Sequence, residues 1–372
     1  MIKRILSHKI VQKLGKGKAI FVVGPRQVGK TTLINSILEN KEHLFLDGDD
    51  PTTRNLLTDP STQQLKNIIA NHKTVFIDEA QRISNIGITL KLITDQFKEV
   101  QLLVSGSSAF ELNNQTNEPL TGRKWEYQML PISWDELETS IGYVTAAQQL
   151  ELRILYGMYP DTINHIGEEA EVLKQLTNSY LYKDLLAFDG IRKPEILEKL
   201  LRALALQLGN EVSYNELAQL LGIDKKTVSN YIEILEKGYV IFKLPSFSRN
   251  LRNEIKTNQK IYFYDTGVRN AIIGNFNPLE VRTDKGALWE NFLVAERLKT
   301  LNYEKPLTNA YFWRTTRQQE IDYVEENAGK IKGFEFKWNP KAKSKKHKSF
   351  MKAYDTDINI VHRENFRDFL KL

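Results

Sequence analysis

The chain has 372 residues, more than one hydrophobic core organises, so two or three domains are expected. Apolar residues at 41% and charged residues at 26% exclude a disordered or fibrous chain, and the absence of cysteine excludes disulfides and thiolate metal sites. A net charge of +6 admits a polyanionic partner without requiring one. Met1 to Leu14 mixes cationic and isolated apolar residues and lacks the continuous apolar stretch of a signal peptide, and no segment approaches a membrane span in length. The expectation is a cytoplasmic protein with no membrane partner.

Ala19 to Val23 is a short apolar run ending at Gly24, and a helical pattern begins near Lys30, as when a buried strand enters a helix through a glycine loop. Thr74 to Ile77 and Gln101 to Val104 repeat the buried-strand pattern, with helix-like sequence before each. That alternation predicts an α/β fold with a parallel sheet and covering helices. A fourth strand, Trp125 to Leu130, ends at Pro131, and Ser133 to Glu136 reads as a helix start with a capping box. Gln148 to Leu200 is mainly helical, a lid or connector. A helix-turn-helix pattern spans Glu195 to Leu244, and strand-like runs, IYFYD and YFWR, return after Lys260. These shifts divide the chain at 1–145, 146–195, 196–250 and 251–372.

Gly24-Pro25-Arg26-Gln27-Val28-Gly29-Lys30-Thr31, followed by Thr32, fits GxxxxGK[ST] between a strand and a helix. Glycines let backbone N–H groups curl around phosphate oxygens, the helix N-terminus adds a positive dipole, and Lys30 adds a point charge. Thr31 is then placed to ligate Mg²⁺, so ATP with Mg²⁺ is the expected ligand. Thr74 to Glu79 is a hydrophobic strand ending in two acids: Asp78 to hold the metal and Glu79 to activate the attacking water. Together these motifs imply phosphoryl transfer to water. Beyond the next strand, Ser105-Gly106-Ser107-Ser108 offers hydroxyls for sensing the γ-phosphate, with Ser107 favoured. Arg123, in Leu120-Thr121-Gly122-Arg123, suits an arginine reaching a neighbouring subunit's nucleotide in a homo-oligomer, or else an ordinary salt-bridged arginine.

In this order, GPRQVGKTT, FIDEAQ, SGSSAF and LTGR resemble the AAA-type ATPases of bacteria and archaea. The resemblance extends through NSYLYKDLL, the stretch Tyr214 to Pro245, KIYFYDTG, EIDYV and EFK. It implies an AAA-type ATPase core with a helical lid, followed by a winged helix-turn-helix and a restriction-endonuclease-like α/β domain.

Within the helix-turn-helix, Ser213 caps a helix from Tyr214 to Leu221, Gly222 turns, and Lys225 or Lys226 opens a helix reaching Lys237. Leu217, Leu220, Ile223, Val228, Ile232 and Leu235 are its expected core. Lys225, Lys226, Thr227, Ser229, Asn230 and Tyr231 are the groove-facing set, and Tyr239 to Leu244 the wing strand. DNA and a protein partner both suit such a module. The basic run Lys341 to Lys348 suits a nucleic-acid backbone or a solvated loop.

Glu290, Asp322, Glu335 and Lys337 resemble the site of the PD-(D/E)xK nucleases, with Ile321 where that motif has proline. Alternation in Phe334 to Lys337 puts Glu335 and Lys337 on one strand face. The carboxylates would hold Mg²⁺ and Lys337 would polarise a phosphate. Two functions follow: an ATP-driven enzyme that binds or processes DNA, or an ATP-dependent protein-interaction switch that neither binds nor cuts nucleic acid.

Overall fold

The computed structural model describes residues 2–107, 120–178, 193–248, 259–304, 307–315, 319–342 and 348–371. The chain divides into two compact units, Met1–Ile132 with Lys237–Tyr239, and Ser133–Glu236 with Val240–Leu372. Among the described residues no helix is long and apolar enough to cross a membrane.

The first unit is built on five strands: β1 (Ala19–Val23), β2 (Leu44–Asp47), β3 (Thr74–Asp78), β4 (Gln101–Gly106) and β5 (Lys124–Gln128). Their order is β2-β3-β4-β1-β5, and every pairing is parallel. Parallel neighbours need crossovers, and the helices Lys30–Leu38, Pro51–Leu57, Thr62–Ile69 and Ile86–Gln96 lie in the connections. β1 is buried throughout, as expected for a strand covered on both faces. β2 is absent from the strands read in the sequence. It lies at the sheet edge and buries only Leu46, so no continuous apolar run announces it.

The second unit opens with the helix Trp134–Ile141, capped by Ser133 and Glu136 in the reciprocal box the sequence contains. Short helices follow from Tyr143 to Leu176. Next come the helix Pro194–Leu206, β6 (Glu211–Val212), the helices Tyr214–Leu221 and Lys225–Lys237, β7 (Ile241–Pro245) and β8 (Gln259–Phe263). The three strands form an antiparallel sheet ordered β6-β8-β7, so its middle strand lies beyond residue 250. The chain ends with the helices Thr266–Ile273 and Lys285–Glu304, then β9 (Asn309–Arg314), β10 (Glu320–Asn327), β11 (Lys330–Phe336), the helix Lys348–Tyr354, β12 (Ile358–Val361) and the helix Phe366–Lys371. This second sheet is ordered β12-β11-β10-β9, antiparallel except for the parallel β11–β12 pair. Past β7, Phe247 N–H donates to Phe312 O at 2.6 Å and joins the two sheets edge to edge.

Three expectations for the helix-turn-helix need correction. Tyr231 is buried rather than groove-facing, because Val228, Tyr231, Ile232 and Leu235 form one i, i+3, i+4, i+7 stripe. Leu220, expected in the core, is 67% exposed. Tyr239 has φ 55°, a left-handed conformation that no strand contains, and β7 starts at Ile241.

A charged anchor fixes the start of the helix Lys285–Glu304. Arg269 and Arg282 converge on Asp284 at 2.6 and 2.8 Å, and Arg269 Nε also donates to Ala205 O at 2.8 Å. Burial pushes the Asp284 carboxyl up, but hydrogen bonds from Arg282 and Arg269 override it and bring the group to about 2. A depressed carboxylate stabilises the fold above its unfolded value and stops doing so as pH falls. Stability should therefore drop as pH falls from about 4 through about 2. Asp284→Asn should cost about 2–3 kcal/mol at pH 7, below the full range for a broken buried pair because Asp284 is partly exposed. It should also flatten that acid loss in urea unfolding. A variant as stable as the parent would contradict the anchor.

Candidate functional site

β1 delivers the chain into a turn from Gly24 to Gly29, from which the helix Lys30–Leu38 rises. A Cβ at Gly24, where φ is 151°, would lie 2.0 Å from Met129 O, so only glycine lets the loop pass β5's exit this closely. The Lys30 side chain is buried, and its Nζ donates to Gly24 O at 2.9 Å and to Pro25 O at 2.8 Å. An ammonium and a helix N-terminus thus share one concavity, which favours an anion. Arg4 holds this loop from the N-terminal segment: Nη1 donates to Val28 O at 2.8 Å and Nη2 to Leu130 O at 2.6 Å. No motif marks Arg4, which sequence reasoning missed.

Parallel register brings the acids to the same sheet edge. Asp78 ends β3, buried, and Thr31 Oγ1 donates to its Oδ2 at 2.7 Å. The Ser105 hydroxyl donates to Asp78 Oδ1, and Glu79 N–H donates to Ser105 Oγ at 3.3 Å. Glu79 has φ 46°, and Gly48 at the end of β2 packs under it, where a Cβ would fall 2.4 Å from Glu79 O. Gln81 donates its amide to the Glu79 carboxylate and accepts the Ser107 N–H at 3.2 Å. Hence the serine on the acid is Ser105. The favoured Ser107 meets Gln81 through its backbone. Register carried the missing signal, since Ile77 pairs with Val104 and the next level is Asp78 with Ser105. Of the remaining loop residues, Gln27 and Thr32 are exposed, and Arg26 and Gly29 are half-buried. Ser108 and the end of SGSSAF lie outside the described residues.

Arg123 lies elsewhere. It precedes β5 at the N-terminal end of the strands, where Ala19 N–H donates to its carbonyl at 3.0 Å, and the phosphate-type loop follows their C-terminal ends. Its guanidinium pairs with Asp95 at 2.6 Å.

In the second unit, Asp224 caps the helix Lys225–Lys237, accepting from Thr227 N–H at 2.9 Å and Thr227 Oγ1 at 2.6 Å. Thr227 is therefore engaged in the cap, and Lys225, Lys226, Ser229 and Asn230 are exposed. Most of NSYLYKDLL, and Lys343 to His347 of the basic run, lie outside the described residues.

The C-terminal acids meet partners that sequence reasoning missed. Glu290 Oε1 accepts from Lys260 Nζ at 2.9 Å and from the Tyr262 hydroxyl at 2.5 Å. The same ammonium lies 2.6 Å from Glu320. Asp322 Oδ2 accepts from Phe336 N–H at 2.7 Å, and Lys337 is 3.7 Å from Glu335. Burial, then the negative Glu290, pushes the Asp322 carboxyl up to about 7. Burial pulls the Lys260 ammonium down, but Glu290, Glu320 and Asp322 more than offset this, and the net direction is up. Among the described residues no three acidic or histidine groups could hold a metal ion, so the expected set of Glu290, Asp322 and Glu335 is not assembled as one.

Comparison with known proteins finds family matches in three stretches of the chain. Residues 16–138 match a family described as an AAA domain; 147–279 and 285–368 match two domains of unknown function (DUF8612 and DUF4143). The chain is 28% identical over 342 residues to the uncharacterized protein Rv2008c of Mycobacterium tuberculosis, covering 90% of this chain and 74% of that one. It is 24% identical over 345 residues to the uncharacterized protein MJ1544 of Methanocaldococcus jannaschii, covering 86% and 75%. Among solved structures it resembles the Walker-type ATPase PABY2304 of Pyrococcus abyssi, with a TM-score of 0.50, 17% identity and coverage of 73% of this chain and 96% of that one. At that identity the likeness concerns fold. Residues 16–138 are a P-loop AAA-type domain with a five-stranded parallel sheet.

Ser105→Ala should cost about 1–3 kcal/mol, because Asp78 and Glu79 N–H each lose a buried partner. Ser107→Ala keeps the backbone N–H that meets Gln81 and should cost less than Ser105→Ala. Chemical denaturation of both variants checks this, and equal losses would contradict the assignment of Ser105.

Proposed function

We propose that the chain binds ATP with Mg²⁺ through Gly24, Pro25, Arg26, Gln27, Val28, Gly29, Lys30, Thr31 and Thr32, and hydrolyses it to ADP and phosphate. One observation carries this: the Thr31 hydroxyl rests on the Asp78 carboxylate at 2.7 Å, beside the buried Lys30, whose Nζ donates to the Gly24 and Pro25 carbonyls at 2.9 and 2.8 Å. A triphosphate offers Lys30 a charged acceptor in their place, and the loop N–H groups and helix dipole act on the same oxygens. The oxygen pair of Thr31 and Asp78 suits Mg²⁺, which when bound neutralises charge on the phosphate oxygens.

Glu79 orients the attacking water and takes its proton, with Gln81 holding the carboxylate. Ser105 keeps Asp78 aligned. Ser107 is the hydroxyl assigned to the γ-phosphate. Arg123 joins the reaction only in a homo-oligomer, by meeting a neighbouring copy's nucleotide.

For the second unit we infer a winged helix followed by a restriction-endonuclease-like fold. The order helix, β6, two helices, β7, β8 closing one antiparallel sheet supports the first. A long helix, three antiparallel strands, a helix and a parallel strand support the second. Nucleotide state would then control grip on a partner. DNA is the partner that suits exposed Lys225, Lys226, Ser229 and Asn230 beside Thr227.

Phosphate release should be detectable with purified chain and MgATP, and Glu79→Gln should lower kcat about 10²–10⁴-fold with nucleotide affinity unchanged. A Glu79→Gln chain turning over at the parental rate would remove Glu79 from the chemistry. Duplex DNA should raise the rate at low salt, with the effect fading as salt rises. A rate indifferent to single- and double-stranded DNA at every salt concentration would favour a protein partner instead.

A further inference from the structure

An endonuclease-like fold implies a divalent metal held by Glu290, Asp322 and Glu335, and the residues present do not fit one. Mg²⁺ needs several oxygen ligands with free lone pairs at close, near-octahedral geometry. Here Lys260 enters the acidic cluster from β8, its side chain 1% exposed, and divides its ammonium between Glu290 at 2.9 Å and Glu320 at 2.6 Å. Tyr262 takes the same Glu290 oxygen at 2.5 Å, and the Phe336 N–H takes Asp322 Oδ2 at 2.7 Å. Glu335 has Lys337 at 3.7 Å. A dication placed among these acids would meet the buried Lys260 ammonium, and like charges this close repel.

The same cation does structural work across two sheets. Lys260 lies in β8, Glu290 on the helix Lys285–Glu304 and Glu320 in β10. Arg314 of β9 continues the chain of charges, 3.6 Å from Glu320 and 3.2 Å from Glu211 of β6. Alternating charges therefore run from the helix-turn-helix sheet into the C-terminal sheet.

We propose that Lys260 is the resident cation of this acidic site, excluding divalent metal and, with Arg314, locking the helix-turn-helix sheet to the C-terminal sheet. These acids then hold no metal with which to cut a phosphodiester. The proposal borrows the endonuclease-like reading only for the expectation of a metal, and a metal titration reports on Lys260 whether or not that reading holds.

The test is Mn²⁺ titration of the full, nucleotide-free chain, by calorimetry and by the paramagnetic signal of free Mn²⁺. Parent and Asp322→Asn should bind the same number of Mn²⁺ ions, since Asp322 contributes to no metal site. Lys260→Ala should gain one Mn²⁺ equivalent, and the Lys260→Ala, Asp322→Asn double variant should lose it again. A parental Mn²⁺ site that disappears in Asp322→Asn or Glu290→Gln would overturn the proposal, as would a folded Lys260→Ala chain that gains none. Should Lys260→Ala fail to fold, the comparison of parent with Asp322→Asn still decides. Nicking of supercoiled plasmid by the parent with Mn²⁺, abolished by Asp322→Ala, would also sink it.

Discussion

The direction of the strands governs the first unit. Because β1, β3 and β4 run parallel, their C-terminal ends fall on one sheet edge, and everything able to meet a phosphate must emerge there. The hydrogen bond from Thr31 to Asp78 at 2.7 Å is where the two motifs meet, one from the helix after β1 and one from the end of β3. The strand between them, β4, supplies Ser105 to the same carboxylate. Close backbone approaches at Gly24 and Gly48 keep this edge tight, and Arg4 ties the loop to the exit of β5.

Charge is used differently in the second unit. In the AAA-type domain the buried Lys30 rests on carbonyls that a phosphate can replace. Around Lys260 the cation already has two carboxylates, so the cluster is satisfied from within. The Asp284 anchor follows the same rule, with two guanidinium groups on one acid. The two buried lysines differ in their surroundings: Lys260 is held by two carboxylates, and Lys30 donates to the Gly24 and Pro25 carbonyls.

Sequence reading reached those features whose chemistry is contiguous. GPRQVGKT and FIDE each sit on one strand end, so neighbours in sequence are neighbours at the site. The helix-turn-helix caps were legible for the same reason, with Ser213, Gly222 and the Lys225–Lys237 helix read directly. Features set by register were not. β2 hides because an edge strand buries one residue in four, and the Ser105 contact with Asp78 depends on which residue of β4 is level with that acid, which loop composition does not reveal. Lys260 reads as an ordinary strand lysine; its partners Glu290 and Glu320 lie 30 residues or more away and are brought to it only by packing of the helix Lys285–Glu304 and β10. Arg123 fits a motif position, yet strand direction carries it to the far end of the sheet from its own chain's loop.

The central claim is that the loop after β1 is an ATP site whose charge comes from Lys30. Calorimetric titration of a non-hydrolysable ATP analogue with Mg²⁺ into the folded chain tests it most directly, with Lys30→Ala alongside. One saturable site in the parent, absent from Lys30→Ala at unchanged thermal stability, is the predicted result. No heat of binding to the folded parent, or binding unaffected by loss of the lysine, would contradict it.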